Sequence, residues 1–459
     1  MRLSHAHPMD RESRELSRED IPTRLPLTCQ QQWLLGMSRQ YRKWNCTSGY
    51  TFRLKGPLSL ALLRQSLEQV VRRHSSLRAR IVSTNGITGQ WIEDVHPFYL
   101  DTVLIHGTSQ AEIEANATRA AEDLYDARMD LADGPLWVTK LLRLSDCEHW
   151  LVLVMHRLIA ECSSIERVFQ EVRSLYDELT GVRASTFPAT PPQYSDYAVF
   201  QQETDVEWIR RHGPYWNDHL AGAASVGWPA DPAVTVTTQG SLGKMSCAFG
   251  SELSVELREL SRTLRVLSPI VMLAIYAATI WRWTRQEDFV LPFNVAGRQS
   301  EHRPVIGYFS YILYLRVEVT GRETFRELLG RVSNEFYRAL AHQDFGRIAE
   351  QRPELLAGTL FQWITWHPDD IARVSAQTSN SPPDIAVERI PIRDRGEGLT
   401  ILPPGMVDVE ITLFDAVEGL CSLGTYRADR FTAQTMERLM VDLRSATNSF
   451  VRNPDIRVA

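Results

Sequence analysis

The sequence predicts a mixed α/β chain folded as two halves, and three observations carry that expectation. Its 459 residues exceed what one compact core ordinarily holds. Segments of helical and of strand periodicity occur in both halves, so neither half is built of one element type alone. Between them, residues 181–192 (GVRASTFPATPP) shift abruptly to Pro, Thr, Ser and Ala, the composition of a linker or crossover. Two halves of similar size and element content suit a pseudo-dimer. The boundary is placed at that stretch, giving 25–185 and 186–459 behind a mobile tail of residues 1–24.

Taken in order, Tyr50, Phe52 and Leu54 alternate as in a half-buried strand, and Ser59 caps a helix carrying Leu60, Leu63, Leu67, Val70 and Val71. Residues 149–155 (HWLVLVM) are continuously apolar, the pattern of a central strand covered on both faces. Ser163-Ser164-Ile165-Glu166 then has the form of a capping box, opening a helix whose apolar face is Ile165, Val168, Phe169, Val172, Leu175, Tyr176 and Leu179. Residues 156–162 (HRLIAEC) therefore form a strand-to-helix turn at the open end of a sheet, where α/β folds commonly build sites. In the second half, Ser268-Pro269 reads as a cap and first position of an apolar helix ending at Trp281. A strand ending at Phe293, the stretch from Tyr311 to Val319, an alternating strand at Val407, Val409, Ile411 and Leu413, and a closing helix with Met436, Leu439, Met440 and Leu443 complete the pattern.

Composition narrows the function. Apolar residues at 44% and charged residues at 23% are those of a globular protein. With 50 Lys and Arg against 56 Asp and Glu, the net charge of -6 provides no basic field for nucleic acid. Six scattered cysteines without a Cys-x-x-Cys pair argue against a metal site or a disulfide framework and suit a reducing cytoplasm. The apolar run of residues 269–281 is shorter than the roughly 18 residues a membrane span needs, and the first 24 residues have no apolar stretch of the signal-peptide kind.

Several short segments then follow one another in a telling order. They are Leu27-Thr28-Cys29-Gln30-Gln31-Gln32, Arg73-His74-Ser75-Ser76-Leu77-Arg78, Gln193-Tyr194-Ser195-Asp196-Tyr197-Ala198, Tyr215-Trp216, Asn294-Val295-Ala296-Gly297-Arg298, Ile306-Gly307-Tyr308-Phe309 with Ser310-Tyr311, Leu315-Arg316-Val317, Ala341-His342-Gln343-Asp344, and Leu360-Phe361-Gln362. Each is weak alone. In that order, from about Leu25 to Val451, the chain resembles the condensation domains of nonribosomal peptide synthetases, as a free-standing member of that superfamily.

The resemblance implies two chloramphenicol-acetyltransferase-like halves arranged in a V. A tunnel between them is entered by the phosphopantetheine arms of two carrier proteins, one bearing a donor thioester and the other an acceptor amine. No cofactor is implied on the chain itself. The family's His-His-x-x-x-Asp-Gly motif falls on the turn, with His156 at the first His, Arg157 at the second, Glu161 at the Asp and Cys162 at the Gly. Arg298 is the implied salt-bridge partner of Glu161, and Asn294, Tyr308 and Ser310 are implied tunnel residues.

The substitutions alter the chemistry. Forming an amide from a thioester requires a proton to leave the amine and an oxyanion to be stabilised. A guanidinium group has five donors and no acceptor, so Arg157 cannot be a general base. It can donate to a developing oxyanion, or it can plug the passage as the partner of a carboxylate. His156 is read as either a hydrogen-bonded core residue or a catalytic one, and Glu161–Arg298 as an architectural pair. Cys162, in place of glycine, is expected to narrow the tunnel or strain the turn; a small apolar role and a nucleophilic one both remain open for it. His342 and His367 do not restore the motif.

Two functions follow from the resemblance. One is an acyl or aminoacyl transferase working between carrier-bound partners with an altered mechanism. The other is an inactive recruitment module similar to the X-domains of glycopeptide synthetases, which share the His-Arg replacement. Such a module docks a cytochrome P450, another tailoring enzyme or a synthetase partner.

Overall fold

The computed structural model describes residues 24–459 except 43, 85, 97, 186, 189, 230, 233, 235–240, 344–346, 366–384, 391–401 and 417–418. The tail of 1–24, apart from Arg24, lies outside the described residues, as do Asp344 and His367.

Strands and helices alternate through both halves. In the first, β1 (Thr47–Lys55), β2 (Ala79–Thr84), β3 (Ile87–Ile92), β4 (Asp101–Leu104), β5 (Trp137–Arg143) and β6 (Glu148–His156) are interleaved with α1 (Cys29–Gln40), α2 (Leu60–Arg73), α3 (Gln110–Tyr125) and α4 (Cys162–Leu179). After α5 (Tyr194–His219) come β7 (Leu242–Gly250), α6 (Ser251–Leu264), α7 (Ser268–Thr284), β8 (Asp288–Val295), β9 (Tyr311–Glu318), α8 (Phe325–Ala341) and α9 (Arg347–Gln351). The chain closes with β10 (Thr359–Thr365), β11 (Ala386–Ile390), β12 (Val409–Ala416), β13 (Gly419–Arg427) and α10 (Ala433–Arg452). This is the mixed helix-and-sheet class expected.

Among the described residues two large sheets form, in the orders β11-β1-β6-β5-β4 and β7-β13-β12-β10-β8-β9. β6 is the middle strand of the first, and Trp150 to His156 are all buried, as a strand covered on both faces requires. β1 differs from its half-buried expectation. It carries β6 on one edge and β11 on the other, and Thr51 is as buried as Phe52 because α3 covers the second face, with the Tyr125 hydroxyl 3.5 Å from Thr51 Oγ1.

Helix starts also shift slightly. Ser59 Oγ accepts from the Leu62 amide, so α2 opens at the expected cap. The cap of α7 is Leu267; Ser268 is the first helical residue because its hydroxyl is engaged 3.0 Å from Ser261 Oγ. α7 is buried from Ile270 to Trp281, and no single helix among the described residues is long and apolar enough to cross a membrane.

The second sheet has two unlike faces. Phe361 on β10 stacks on Tyr276 of α7 with ring centroids 5.5 Å apart, and Phe293 on β8 meets Phe336 of α8 at 5.7 Å. Side chains alternate along a strand, so Asn294, Gln362, Glu410 and Thr412 lie on the opposite face. All but Asn294 are buried there as well.

Candidate functional site

The turn after β6 is held from both sides. The His156 amide donates to the Leu136 carbonyl at 2.8 Å and the Arg157 amide to the Cys46 carbonyl at 2.8 Å, fixing the strand end. His156 Nδ1 accepts from the Leu158 amide at 3.2 Å, which leaves the ring proton of neutral imidazole on Nε2. Burial, with the Arg157 charge adding to it, pulls the His156 imidazole down to a pKa of about 4. His156 is therefore a neutral, hydrogen-bonded core group at physiological pH.

Glu161 closes the turn as the N-cap of α4, with an extended backbone and no side-chain capping bond to the amides of its own helix. Its carboxylate is taken instead by the second half. Oε1 accepts from Arg298 Nε at 3.0 Å and Nη2 at 2.7 Å, while Oε2 accepts from the amides of Phe309 at 3.2 Å and Ser310 at 3.1 Å and from Ser310 Oγ at 2.7 Å. Arg298 in turn donates through Nη1 to the carbonyls of His302 at 2.5 Å and Val305 at 2.6 Å, and stands 4.3 Å over the Phe309 ring. Both carboxylate oxygens are fully engaged, so the group binds two pieces of chain together.

That anchoring explains why the capping box does not form. Ser163 Oγ donates to Glu161 Oε1 at 2.9 Å, and Glu166 leaves the cap to pair with Arg389 at 3.1 Å. Neighbouring contacts tighten the junction. Ser164 Oγ donates to the Gly307 carbonyl at 2.8 Å, and Tyr194 donates through its hydroxyl to the Tyr308 carbonyl. A Cβ on Gly307 would lie 2.2 Å from the Tyr194 ring, and one on Gly297, at φ +60°, 2.2 Å from the Phe309 carbonyl oxygen. Both signature glycines are required by close approach.

Cys162 departs from the expectation of strain. It is the first residue of α4, and the positive-φ non-glycine residues among those described are Arg265 and Arg285. An L-residue fits a helical first position, so the glycine's conformational freedom is not needed. Its side chain hydrogen-bonds the Tyr50 hydroxyl, which burial, the Cys162 sulfur and Glu166 together push well above the ordinary tyrosine range. The Arg389 guanidinium lies 3.7 Å over the same Tyr50 ring.

Arg157 is buried, and its charge is felt by three groups that surround the turn: the Cys46 thiol, the Tyr308 phenol and the Glu410 carboxyl. Burial pushes Cys46 up to about 12 against the pull of Arg157, so it is a neutral thiol. Tyr308 is fully buried and its hydroxyl has no hydrogen-bond partner among the described residues; burial raises its pKa against the pull of Arg157. Asn294 donates through Nδ2 to Gln362 Oε1 at 3.2 Å while its own Oδ1 is also buried without a partner. A buried hydroxyl and a buried amide oxygen without partners among the described residues leave donor and acceptor capacity unused. Ser310 is committed to Glu161, and His342 is remote, stacked on Tyr215 at 3.9 Å with Nδ1 3.0 Å from that of His212.

The residue that sequence reasoning passed over is Glu410. Its strand was recognised by the apolar alternation at 407, 409, 411 and 413, but the intervening Asp408, Glu410 and Thr412 are buried too. Gln362 donates through Nε2 to Glu410 Oε1 and, at 3.3 Å, to Thr412 Oγ1. Three charged or amphipathic residues in a strand that is otherwise apolar were the available signal.

Comparison with known proteins completes the site's context. The family model described as Condensation domain matches residues 22–353. The chain belongs to the condensation-domain family. A linear gramicidin synthase of Brevibacillus parabrevis is 29% identical over 449 residues, covering 95% of this chain and 8% of that protein. Surfactin synthase subunit 1 of Bacillus subtilis is 30% identical over 298 residues, covering 64% of this chain and 8% of that protein. The chain thus spans less than a tenth of the length of these relatives. Among solved structures, the complex of the X-domain and OxyB from teicoplanin biosynthesis aligns with a TM-score of 0.77 at 21% identity, covering 96% of both chains. The condensation domain from the monacolin K polyketide synthase MokA aligns at 0.78 with 16% identity, covering 95% of this chain and 99% of that one. SgcC5 from Streptomyces globisporus aligns at 0.74 with 21% identity, covering 94% and 100%. At these identities the structural likeness establishes the fold: the condensation-domain fold carries this sequence.

Proposed function

We propose that this condensation-family chain serves nonribosomal peptide or hybrid natural-product biosynthesis. It acts on phosphopantetheine-tethered intermediates of carrier proteins and transfers an acyl or aminoacyl group by a mechanism in which Arg157 donates rather than accepts. The observation that carries this reading is the environment of Arg157. A buried guanidinium sits at the end of the central strand, and its charge acts on the buried Tyr308, whose hydroxyl has no hydrogen-bond partner among the described residues. A thioester carbonyl that becomes an oxyanion is a natural acceptor for such donors, which act most strongly where water is excluded. His156 takes no proton in this scheme because its Nδ1 is occupied and its imidazole is neutral and buried. Glu161 and Arg298 keep the two halves in register.

The test is transfer from a loaded carrier protein to candidate amines, followed by mass. Arg157→Ala is expected to lower the rate by on the order of 10²–10³ fold, the usual cost of losing one oxyanion donor. An Arg157→Ala protein as fast as the wild type would overturn the reading.

A second reading has its own observation. The Cys162 side chain and Tyr50, held under Arg389, fill space at the start of α4 where the family's glycine has no side chain. That supports a recruitment role of the kind shown by the teicoplanin X-domain, which was solved in complex with OxyB. The double reversion Arg157→His with Cys162→Gly separates the two. Turnover in the revertant alone, together with a stable complex between the natural chain and a cytochrome P450, would establish recruitment.

A further inference from the structure

The proposed transfer lacks a base on the turn, and the structure offers one on the facing sheet. We propose that Glu410 is the proton acceptor of the reaction, working across from Arg157; this rests on the transferase reading above. Three adjacent strands build it. Asn294 on β8, Gln362 on β10 and Glu410 on β12 form a continuous row, with Asn294 bonded to Gln362 at 3.2 Å and Gln362 bonded to the Glu410 carboxyl. The row occupies the sheet face turned away from α7 and α8. Glu410 is buried, and the Arg157 charge acts on it directly. Among the described residues, Asn294 Oδ1 at the end of that row has no hydrogen-bond partner, and neither does the hydroxyl of Tyr308, on which the Arg157 charge also acts.

The proton balance closes. The amine nitrogen attacks the thioester carbonyl as its proton passes to the Glu410 carboxylate, while Arg157 donates to the carbonyl oxygen. Collapse of the tetrahedral intermediate breaks the C–S bond, and the departing thiolate takes that proton from the Glu410 carboxylic acid. The carboxylate is restored, with an amide and a free thiol as products. Geometry supplies the buried row that ends in the Glu410 carboxyl, and the Arg157 charge links that carboxyl to the turn. The charged groups acting on Glu410 are Arg157 from the turn and Lys244 from β7, and with the Gln362 hydrogen bond they oppose burial. Burial prevails, leaving the carboxyl at about 8, close to where a general base is most effective.

The experiment compares the wild type, Glu410→Gln and Glu410→Asp with N-acetylcysteamine thioesters of phenylalanine and octanoic acid as donors and amino acids as acceptors, across pH 6 to 10. The wild-type rate should rise with pH through a limb near 8. Glu410→Gln should lose roughly 10²–10⁴ fold and the limb itself, while Glu410→Asp recovers part of the rate with a limb present. Unchanged denaturation midpoints would exclude misfolding as the cause. A Glu410→Gln protein with wild-type rate and wild-type limb overturns the assignment while leaving the transferase reading intact. A wild type that transfers from neither donor, nor from a loaded carrier protein, removes the transferase reading and this role with it.

Discussion

Glu171 and Glu410 are both buried carboxylates, one in each half, and burial alone opposes the ionisation of both. Glu171, on α4, accepts from Arg73 at 3.0 Å, His74 at 2.9 Å and Arg167 at 2.9 Å. Burial would raise it, but the hydrogen bonds and charges of His74 and Arg167 outweigh burial and bring it down to about 2. Glu410 has one amide donor and two more distant cations, and burial leaves it at about 8. The number and closeness of donors decide which buried carboxyl is a fixed anion and which can exchange a proton near neutrality. Glu171 fastens α2 to α4, whereas Glu410 is left able to exchange a proton near neutrality.

Removing a fixed anion should have the largest effect. Glu171→Ala leaves Arg73, His74 and Arg167 without their common acceptor, and Glu161→Ala does the same to Arg298. Each is expected to cost about 3–5 kcal/mol in urea unfolding. Glu410→Gln at pH 6 should cost under about 1 kcal/mol, because the amide keeps an acceptor for Gln362. Equal losses at Glu171 and Glu410 would erase the distinction between them.

The pH dependence sharpens the comparison, since the two carboxyls shift in opposite directions. Glu171 has its folded pKa depressed, so its stability is present above about 4.5 and lost as pH falls through about 2. Glu410 has its folded pKa raised, so its contribution is fully present below about 4.5 and lost as pH rises through about 8. Unfolding measured against pH should therefore show the wild type weakening relative to Glu410→Gln between those values and running parallel to it above them. Relative to Glu171→Gln, the wild type should weaken only in acid.

A small effect is also expected at His156. Its folded pKa is depressed, so stability falls as pH drops from about 6.5 through about 4, where the buried ring must take a proton. His156→Asn, which has an acceptor for the Leu158 amide, should lack that loss and cost about 1 kcal/mol at neutral pH. A collapse of transfer activity in this variant with its stability retained would move His156 from the core into the chemistry.

Much of the fold was legible in the chain. The continuous apolar run of 149–155 gave the central strand because only a doubly covered strand tolerates such a run. The apolar stretch of 269–281 gave the buried helix, and the ordered motifs gave the family. Local chemistry misled where a distant partner intervened. The serine cap of α4 was displaced because Glu161 is anchored by Arg298 and Ser310, 137 and 149 residues away. The half-buried reading of β1 failed because α3, more than fifty residues further along the chain, covers its second face with Tyr125 against Thr51.

By itself the sequence determined the central strand and the buried helix from the periodicity of their side chains, which is a local property. The family resemblance of its ordered motifs implied the rest: that Arg157, a group unable to accept a proton, stands at the proton-handling position of the turn, and that Arg298 is the partner of Glu161. Only the tertiary structure decided that Cys162 sits unstrained in a helix and that Glu410 is buried where the Arg157 charge acts on it. Pairing of β8, β10 and β12 sets Asn294, Gln362 and Glu410 side by side although 68 and 48 residues separate them in the chain. The proton affinity of a buried carboxyl depends on which charges and donors the fold brings near it, and sequence order does not contain that distance.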